Sequence, residues 1–428
     1  MPPAPADSLK SRRERLLGPA YRLFYEEPLH LVKGEGAWLT AADGRRYLDL
    51  YNNVPHVGHC RPEVVEAICR QAATLNTHTR YLHETVLDYA ERLLARFPSE
   101  LDTVMFSCTG TEANELALRV AREATGRQGI VVTEFAYHGN SQLIADISTE
   151  DTPPARRPPY VATVPFPDTY RGEHRGADAG ERYAAQVDVA VAELRRRGFE
   201  PAAFVVDTIS SSSAVVESPP GFLAGAAARI RAAGGLFVAD EVQPGFGRTG
   251  RHFWGFEADG LVPDIVTLGK PIGNGHPLAA TVLRRDLAER FAAETGYFNT
   301  FGGNPVSAAA GLAVLDIVER DGLQAHALAV GRSLREGLAA LAARFDLIGD
   351  VRGHGLFLAV ELVEDRASRA PATARARAVV NALCRRGVLT NTIGPDDNVL
   401  KLRPPMVFSG ADADLFLDAF AEALAEQG

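Results

Sequence analysis

Lysine is scarce in this chain of 428 residues. The only lysines are Lys10, Lys33, Lys270 and Lys401, and every other permanently basic residue is an arginine. Chemistry that requires a primary amine on a side chain therefore has few candidates in this sequence.

Cysteines and long apolar runs are also few or lacking. Cys60, Cys69, Cys108 and Cys384 show neither CxxC spacing nor the density of a disulfide framework, so we expect reduced thiols without a chemical role. No run approaches about 18 uninterrupted apolar residues, and residues 1–15 lack the apolar core of a signal peptide. The sequence therefore predicts a soluble, cytoplasmic protein.

Positive charge is in deficit, since the formal net charge is -9. Such a chain has no general field that attracts nucleic acid or an anionic membrane surface, and we expect neither partner.

The length of 428 residues exceeds the roughly 250–300 residues at which single cores stop growing. We therefore expect two linked domains.

Apolar runs rich in β-forming residues alternate with helical patterns between about residues 100 and 310. The runs lie at 104–107, 130–133, 203–206, 236–239, 264–268 and 279–283. Short, near-continuous apolar runs separated by helices indicate a mostly parallel sheet that is buried on both faces. The stretch 150–182 has no clear periodicity and predicts a long, partly ordered surface loop.

These patterns also predict the domain organisation. A large α/β domain is expected at residues 61–310. Strands near residues 37–50 and a second αβ region at residues 347–426 indicate a smaller α/β domain. It would be formed by both ends of the chain, with 1–60 as the N-terminal contribution and 311–428 as the C-terminal part.

Lys270 directly follows a buried apolar run and lies within the string TLGKPIGNG. Flanking glycines allow backbone and ligand to approach closely, and ligands of open α/β sheets collect beyond the carboxyl ends of the strands. Desolvation at such a position lowers the pKa of an amine, as nucleophilic lysines require. An ordinary loop lysine is an equal alternative when this position is considered alone.

Asp240 ends the apolar run LFVA, which predicts a buried carboxylate. Burying a carboxylate is costly unless a cation or a protonated nitrogen meets it. The protonated ring nitrogen of pyridoxal phosphate is such a partner, and the charge pair keeps the ring an electron sink. The alternative is a carboxylate that caps the following turn, which suits Glu241 better.

Pyridoxal phosphate further needs an anion site for its phosphate and a flat wall for its ring. The turn TGT at residues 109–111 opens a helical pattern, and the first N–H groups of a helix form an anion site, although such residues begin many helices. Tyr137 follows a predicted strand and is able to stack on the ring, although most tyrosines there only pack. The sequence therefore predicts pyridoxal phosphate as the cofactor, held by Lys270 as a Schiff base, and no metal site.

Six strings, in order and over nearly the whole chain, resemble the class-III or omega-type aminotransferases. They are TGTEAN at 109–114, YHG at 137–139, ADEVQ at 239–243, GFGRTG at 245–250, TLGKPIGNG at 267–275 and NTFGGNP at 299–305. The resemblance implies the fold-type I architecture of pyridoxal-phosphate enzymes. It also implies a homodimer whose active sites lie at the subunit interface.

The resemblance assigns roles to individual residues. The implied cofactor-binding residues are Gly110, Thr111, Tyr137, Asp240, Val242, Lys270 and Thr300. Lys270 and Asp240 are also the implied catalytic residues. Val242 and Tyr137 would contact opposite faces of the ring.

The phosphate of the cofactor would be shared between two subunits. By the same resemblance, Gly110 and Thr111 would bind it within one subunit. Thr300 would reach it from the neighbouring subunit.

Three further strings are most similar to the branch that contains ethanolamine-phosphate and phosphohydroxylysine phospho-lyases. They are YNNVPHVGHC at 51–60, PDTYRG at 167–172 and KLRPPM at 401–406. Ordinary class-III aminotransferases carry a Glu-Pro-x-Gln-Gly string that is DTISSS at 207–212 here. They also place an arginine where this chain has Lys401, a point charge without the fork that grips a keto-acid carboxylate.

The sequence favours an aminotransferase that acts on a primary ω-amine with a 2-oxo acid or aldehyde acceptor. The alternative is a phospho-lyase that releases phosphate and ammonia from an O-phosphorylated amino alcohol such as phosphoethanolamine. Both reactions begin when the substrate amine displaces Lys270 and the freed lysine removes the Cα proton. A non-catalytic regulator that binds pyridoxal phosphate is a third hypothesis, and the intact Lys270 and Asp240 argue against it.

Overall fold

The computed structural model describes residues 8–427. The helices are α1 Leu9–Leu17, α2 Pro62–Thr74, α3 Glu84–Leu94, α4 Gly110–Thr125, α5 Gln142–Ile147, α6 Ala179–Arg196, α7 Phe222–Ala232, α8 Arg285–Glu294, α9 Pro305–Arg320, α10 Leu323–Arg344, α11 Thr373–Arg385 and α12 Gly410–Ala425. The strands are β1 Leu31–Glu35, β2 Trp38–Ala41, β3 Arg46–Asp49, β4 Thr103–Ser107, β5 Gly129–Thr133, β6 Val161–Val164, β7 Pro201–Asp207, β8 Leu236–Asp240, β9 Ile265–Leu268, β10 Ala279–Leu283, β11 Ile348–His354, β12 Phe357–Asp365, β13 Ala370–Pro371, β14 Val388–Leu389, β15 Asn391–Ile393 and β16 Val399–Leu402.

The largest sheet has seven strands in the order β4-β10-β9-β8-β7-β5-β6. Its strands pair in parallel from β9 to β6, and β10 runs antiparallel to both of its neighbours. Every residue of β5, β7, β9 and β10 is buried, because helices cover both faces of the sheet. The mostly parallel sheet predicted from the apolar runs is confirmed.

The register of the central strands sets polar residues side by side at one edge of this sheet. Asp207 at the end of β7 pairs with Asp240 at the end of β8, and Asp240 pairs with Thr267 in β9. Lys270 begins a short 3-10 helix just after β9. The carboxyl edge of the sheet therefore gathers two carboxylates and a lysine from three consecutive strands.

The edge strand β6 was not predicted from the sequence. The stretch 150–182 was expected to be a surface loop, but Val161–Val164 pairs in parallel with β5 and α6 begins at Ala179. Only four residues form the strand, and prolines at 158, 159, 165 and 167 flank it. Such a short run gives no visible periodicity, although three of its four side chains are buried.

Both ends of the described chain contribute to the remaining sheets. Strands β1, β2 and β3 form a sheet that β14 extends by pairing in parallel with β3. Strands β11, β12, β16 and β15 form a second, antiparallel sheet, and β13 pairs with β12.

The domain limits at residues 60 and 310 stay predictions. Within residues 8–427, no helix is long and apolar enough to cross a membrane.

Arg248 joins the large sheet region to both ends of the chain. It is fully buried, and its guanidinium donates to the carbonyl oxygens of Leu356 at 3.0 Å and Pro404 at 2.7 Å. A further nitrogen of the guanidinium lies 3.2 Å from Nδ1 of His56, whose Nε2 lies 2.9 Å from the carbonyl oxygen of Phe246. Burial lowers the pKa of Arg248 to about 9. One side chain thus fixes three distant segments behind the carboxyl edge of the sheet.

We expect Arg248→Met to lower the free energy of unfolding by about 2–4 kcal/mol, because it leaves buried acceptors without donors. Urea denaturation of the purified protein measures the change. Arg251→Met is the matched control, since Arg251 is exposed in the same loop and should change stability by no more than about 0.5 kcal/mol. Equal effects of the two substitutions would contradict the role given to Arg248.

Candidate active site

A cavity of about 210 Å³ lies at the carboxyl edge of the large sheet. Its lining residues are Gly110, Thr111, Asn114, Tyr137, His138, Gly139, Asp207, Asp240, Val242, Gln243 and Lys270. Six of the seven residues expected at the cofactor are in this set, and Thr300 is not. The structure therefore brings these six together, while their individual roles stay predictions.

Asp240 is buried at the floor of the cavity and is held by three neighbours. Its carboxylate lies 2.7 Å from Nδ1 of His138 and accepts from the amide nitrogen of the Asn114 side chain at 2.9 Å. It also accepts from the backbone N–H of Val242 at 3.1 Å. Burial alone raises the pKa of Asp240, but His138, Asn114 and Lys270 outweigh it and lower that pKa below its ordinary value. The carboxylate is therefore held ionised, ready to meet a positive partner.

Asn114 and His138 are functional candidates to which sequence reasoning gave no role. Asn114 is buried in α4, where its amide oxygen accepts from the hydroxyl of Thr267 at 2.7 Å and its nitrogen also donates to the carbonyl oxygen of His138 at 2.8 Å. The signal for Asn114 was a polar residue on the apolar face of a helix. His138 gave no comparable signal, because its partner Asp240 lies 102 residues further along the chain.

Lys270 follows β9 directly and adopts a left-handed backbone conformation, with φ of +36°. A residue that is not glycine adopts such a conformation at a cost of about 1–3 kcal/mol, and such costs cluster at functional sites. Burial and then the charge of Arg403 lower the pKa of Lys270 to about 8, against the opposing effect of Asp240. A substantial fraction of this amine is therefore neutral near physiological pH.

The N-terminus of α4 forms one end of the cavity. Thr109 caps the helix, because its hydroxyl accepts from the N–H of Glu112, and the Glu112 carboxylate accepts from the N–H of Thr109. The N–H groups of Gly110 and Thr111 precede the first intrahelical bonds and remain available to an anion. A Cβ on Gly139 would lie 2.4 Å from the Thr111 hydroxyl, so this position requires glycine.

Asp207 places a second carboxylate in the cavity, beside Asp240. It accepts from the backbone N–H groups of Ile209 at 3.1 Å and Ser211 at 3.0 Å, and from the Ser211 hydroxyl at 3.1 Å. Burial, and then the neighbouring charge of Asp240, raise the pKa of Asp207. The string DTISSS therefore forms a tight turn that presents a carboxylate to the ligand.

Thr300 lies outside the cavity and is exposed. Its neighbour Asn299 donates to Glu112 at 3.1 Å, which places this loop against the start of α4. The contribution of Thr300 to a phosphate site on a second subunit stays a prediction.

The residues present fit pyridoxal phosphate. The cavity joins a lysine of lowered pKa, an ionised carboxylate and the N-terminus of a 16-residue helix. Tyr137, which is 37% exposed, lines the cavity, and so does Val242, which packs close to Gly110. Lys270 would carry the cofactor, Asp240 would face its ring nitrogen, and Gly110 and Thr111 would hold its phosphate.

The rate at which the cofactor-free protein takes up pyridoxal phosphate should report the pKa of Lys270. Only the neutral amine attacks an aldehyde, so a pKa of about 8 makes the rate rise about tenfold between pH 7 and pH 9 and then level off. Stopped-flow absorbance measures this profile. A rate that still climbs above pH 10, or borohydride labelling of Lys401 in place of Lys270, would contradict the assignment.

Comparison with known proteins agrees with this geometry. The family described as aminotransferase class-III matches residues 24–424. A protein of Drosophila melanogaster described as alanine–glyoxylate aminotransferase 2-like is 42% identical, over 98% of this chain and 87% of its own length. A Caenorhabditis elegans protein described as ethanolamine-phosphate phospho-lyase homolog 1 is 38% identical, over 94% of this chain and 90% of its own.

A solved structure is similar to this one over its whole length. It is a phospholyase from Arthrobacter in complex with phosphoethanolamine, with 44% identity and a TM-score of 0.94. The match covers 98% of this chain and 99% of the Arthrobacter chain. These findings confirm the expected fold type and cofactor. The chain belongs to the class-III aminotransferase family and is an enzyme that depends on pyridoxal phosphate.

Proposed function

We propose that this chain is a phospho-lyase that releases phosphate and ammonia from an O-phosphorylated amino alcohol such as phosphoethanolamine. The observation that carries the proposal is the positive charge beside the cavity. Arg403 follows β16 and donates to Gln243, which lines the cavity, and Lys401 lies two residues before it in that strand. Together they form a basic cluster beside the cavity. Such a cluster suits a substrate that carries a dianion. The likeness to the Arthrobacter phospholyase supports the same conclusion.

The proposed reaction begins with removal of a proton from the carbon that bears the substrate amine. Bound pyridoxal phosphate supplies the electron sink that acidifies this proton. The neutral amine of Lys270 takes the proton, since its pKa of about 8 lets it act as a base near neutral pH. Asp240 stays ionised at the floor of the cavity, held by His138 and Asn114.

Elimination then breaks the bond between the neighbouring carbon and the phosphate oxygen. The electron pair leaves with the phosphate, and the positive charge of Arg403 stabilises the departing dianion. Water hydrolyses the unsaturated amine that remains. The balance is phosphoethanolamine and water giving acetaldehyde, ammonia and inorganic phosphate.

Transamination of a primary ω-amine with a 2-oxo acid or aldehyde is the second candidate. The description of the family and that of the Drosophila relative favour it. It needs the same proton removal by Lys270 and differs only in returning the proton to another carbon. Lys401 weighs against it, because a lysine cannot grip a carboxylate with two parallel hydrogen bonds.

We also propose that the enzyme is a homodimer. Phe298 and Phe301 are 43% and 69% exposed on either side of Thr300, and Leu82 is 97% exposed beside the same loop. Exposed apolar side chains in one patch mark interaction surfaces. A second copy on this patch would bring its Thr300 towards the neighbouring site.

The cytoplasmic location remains a proposal, supported by the unpaired Cys60 and Cys69 on the surface.

An assay with two readouts tests the reaction. Wild type should release one phosphate and one ammonia per phosphoethanolamine consumed, and Lys270→Ala should abolish this activity, because it removes the base. Lys33→Ala is the control, since Lys33 is exposed and pairs with Glu35 at 3.0 Å on the surface. Conversion of the cofactor to its amine form by ω-amines, without phosphate release from phosphoethanolamine, would favour transamination.

Thr300→Ala should weaken pyridoxal phosphate binding by about ten- to a hundredfold, which is the value of one hydrogen bond to a charged phosphate. Titration of the cofactor-free protein measures the affinity, and light scattering gives the mass. Thr295→Ala is the matched control, because its hydroxyl donates to the carbonyl oxygen of its neighbour Gly296 at 3.3 Å. An unchanged affinity, or a monomer that binds cofactor fully, would rule out a shared phosphate site.

A further inference from the structure

The turn after β7, residues 208–215, begins at the cavity residue Asp207 and has a strained backbone. Ser210 and Val215 are not glycines, yet they adopt left-handed conformations, with φ of +50° and +53°. This conformation is rare for a β-branched residue such as Val215. Strain of this kind, about 1–3 kcal/mol for each residue, persists only where the surrounding structure imposes it. Contacts from outside the turn must therefore hold it in place.

Hydrogen bonds within the turn connect Asp207 to its far end. The carbonyl oxygen of Asp207 accepts from the backbone N–H of Ser210 at 3.0 Å. The carbonyl oxygen of Ser210 accepts from the N–H groups of Ala214 at 3.1 Å and Val215 at 3.0 Å. Because these bonds form one continuous chain, a displacement of Ala214 would reach Asp207.

Arg352 in β11 holds the far end of this turn from outside. Nε of its guanidinium donates to the carbonyl oxygen of Ala214 at 3.0 Å. Nη1 of the same group lies 2.9 Å from the carboxylate of Asp350 and 2.7 Å from that of Glu361, and the side chain is only 13% exposed. An arginine of the antiparallel sheet thus contacts the turn that begins at the cofactor cavity.

A buried ionic cluster fixes Arg352 itself. Glu361 in β12 is 1% exposed and lies 2.5 Å from Nε of Arg171 as well as 2.7 Å from Arg352. Arg171 belongs to the string PDTYRG at 167–172 and also pairs with Asp396 at 2.8 Å. A carboxylate that two arginines share holds both guanidinium groups in place. The PDTYRG string, to which the proposed reaction gives no role, therefore helps to fix Arg352.

The position of Asp207 matters for the amine that would carry the cofactor. Asp207 and Lys270 both line the cavity, and Asp207 pairs in register with Asp240 on the neighbouring strand. Burial and the charge of Arg403 lower the pKa of Lys270. The charge of Asp240, and then that of Asp207, raise this pKa in opposition. A turn that moved Asp207 away would therefore leave Lys270 less often protonated.

We propose that Arg352 is a positioning residue. By holding the carbonyl oxygen of Ala214, it keeps the strained turn in place and thereby fixes the carboxylate of Asp207 in the cavity. The inference goes beyond the proposed elimination and holds for either candidate reaction, because it concerns the cavity before a substrate enters.

The test measures by stopped-flow absorbance how the rate of pyridoxal phosphate uptake by the cofactor-free protein depends on pH. Arg352→Lys keeps the positive charge beside Glu361 but removes the Nε–H that reaches Ala214. Its profile should move to lower pH than that of wild type, by about 0.5 pH unit or more, because a displaced Asp207 no longer favours the charged amine.

Two further variants connect this shift to Asp207. Asp207→Asn should move the profile in the same direction, since it removes the negative charge. Adding Arg352→Lys to Asp207→Asn should then change the profile no further, because the residue through which Arg352 acts has lost its charge. Arg335→Met is the control, since Arg335 is exposed on α10, and it should leave the profile as in wild type.

Arg352→Met removes the guanidinium altogether and covers the case in which a lysine ammonium still reaches Ala214. A wild-type profile in both Arg352 variants, or in Arg352→Lys alone where Arg352→Met does not fold, would overturn the inference. A lowered melting temperature with an unchanged profile would overturn it as well, because Arg352 would then only stabilise the fold. So would a shift by Arg352→Lys that is equally large in the Asp207→Asn background. None of these results bears on whether phosphoethanolamine loses its phosphate.

Discussion

The rest of the site depends on one buried carboxylate that must stay ionised. Asp240 lies at the end of a central parallel strand, where water is excluded and burial would protonate it. His138 and Asn114 prevent this by hydrogen bonding to the charged form, and Thr267 orients Asn114. Parallel pairing is what allows the arrangement, because it sets the carboxyl ends of neighbouring strands at one edge. The fold thus holds a negative charge in place before any ligand arrives.

The residues that line the cavity lie between Gly110 and Lys270, in the large-sheet region and α4. The ends of the described chain support this lining from outside, because Arg403, which follows β16, donates to Gln243 and to the backbone carbonyl oxygen of Tyr51. Arg248 fixes these distant segments to one another through buried carbonyl groups. The position of Gln243 in the cavity lining therefore depends on how the terminal segments sit on the large sheet.

The sequence predicted those features that depend on local pattern. Continuous apolar runs located six strands of the large sheet to within two residues at either end, and the residues that follow them identified Lys270 and Asp240. Features that depend on tertiary contacts could not be predicted from local pattern. The contact between His138 and Asp240, for example, joins residues 102 positions apart. The short strand β6 is set by pairing with β5 and not by its own pattern. Thr300 is exposed in a single chain, and the role predicted for it would require a second one.

Relatives of similar identity carry different descriptions. One described as aminotransferase 2-like is 42% identical and one described as a phospho-lyase homolog is 38% identical, each over most of this chain. In both reactions considered for this chain, Lys270 would remove the same proton. Whether the proton returns or a leaving group departs depends on what the substrate carries on its next carbon. In the proposed function, Lys401 favours elimination, because it offers a point charge and no fork for a carboxylate. Overall identity therefore supports the family and the fold, whereas the choice between the two reactions depends on the chemistry of the substrate.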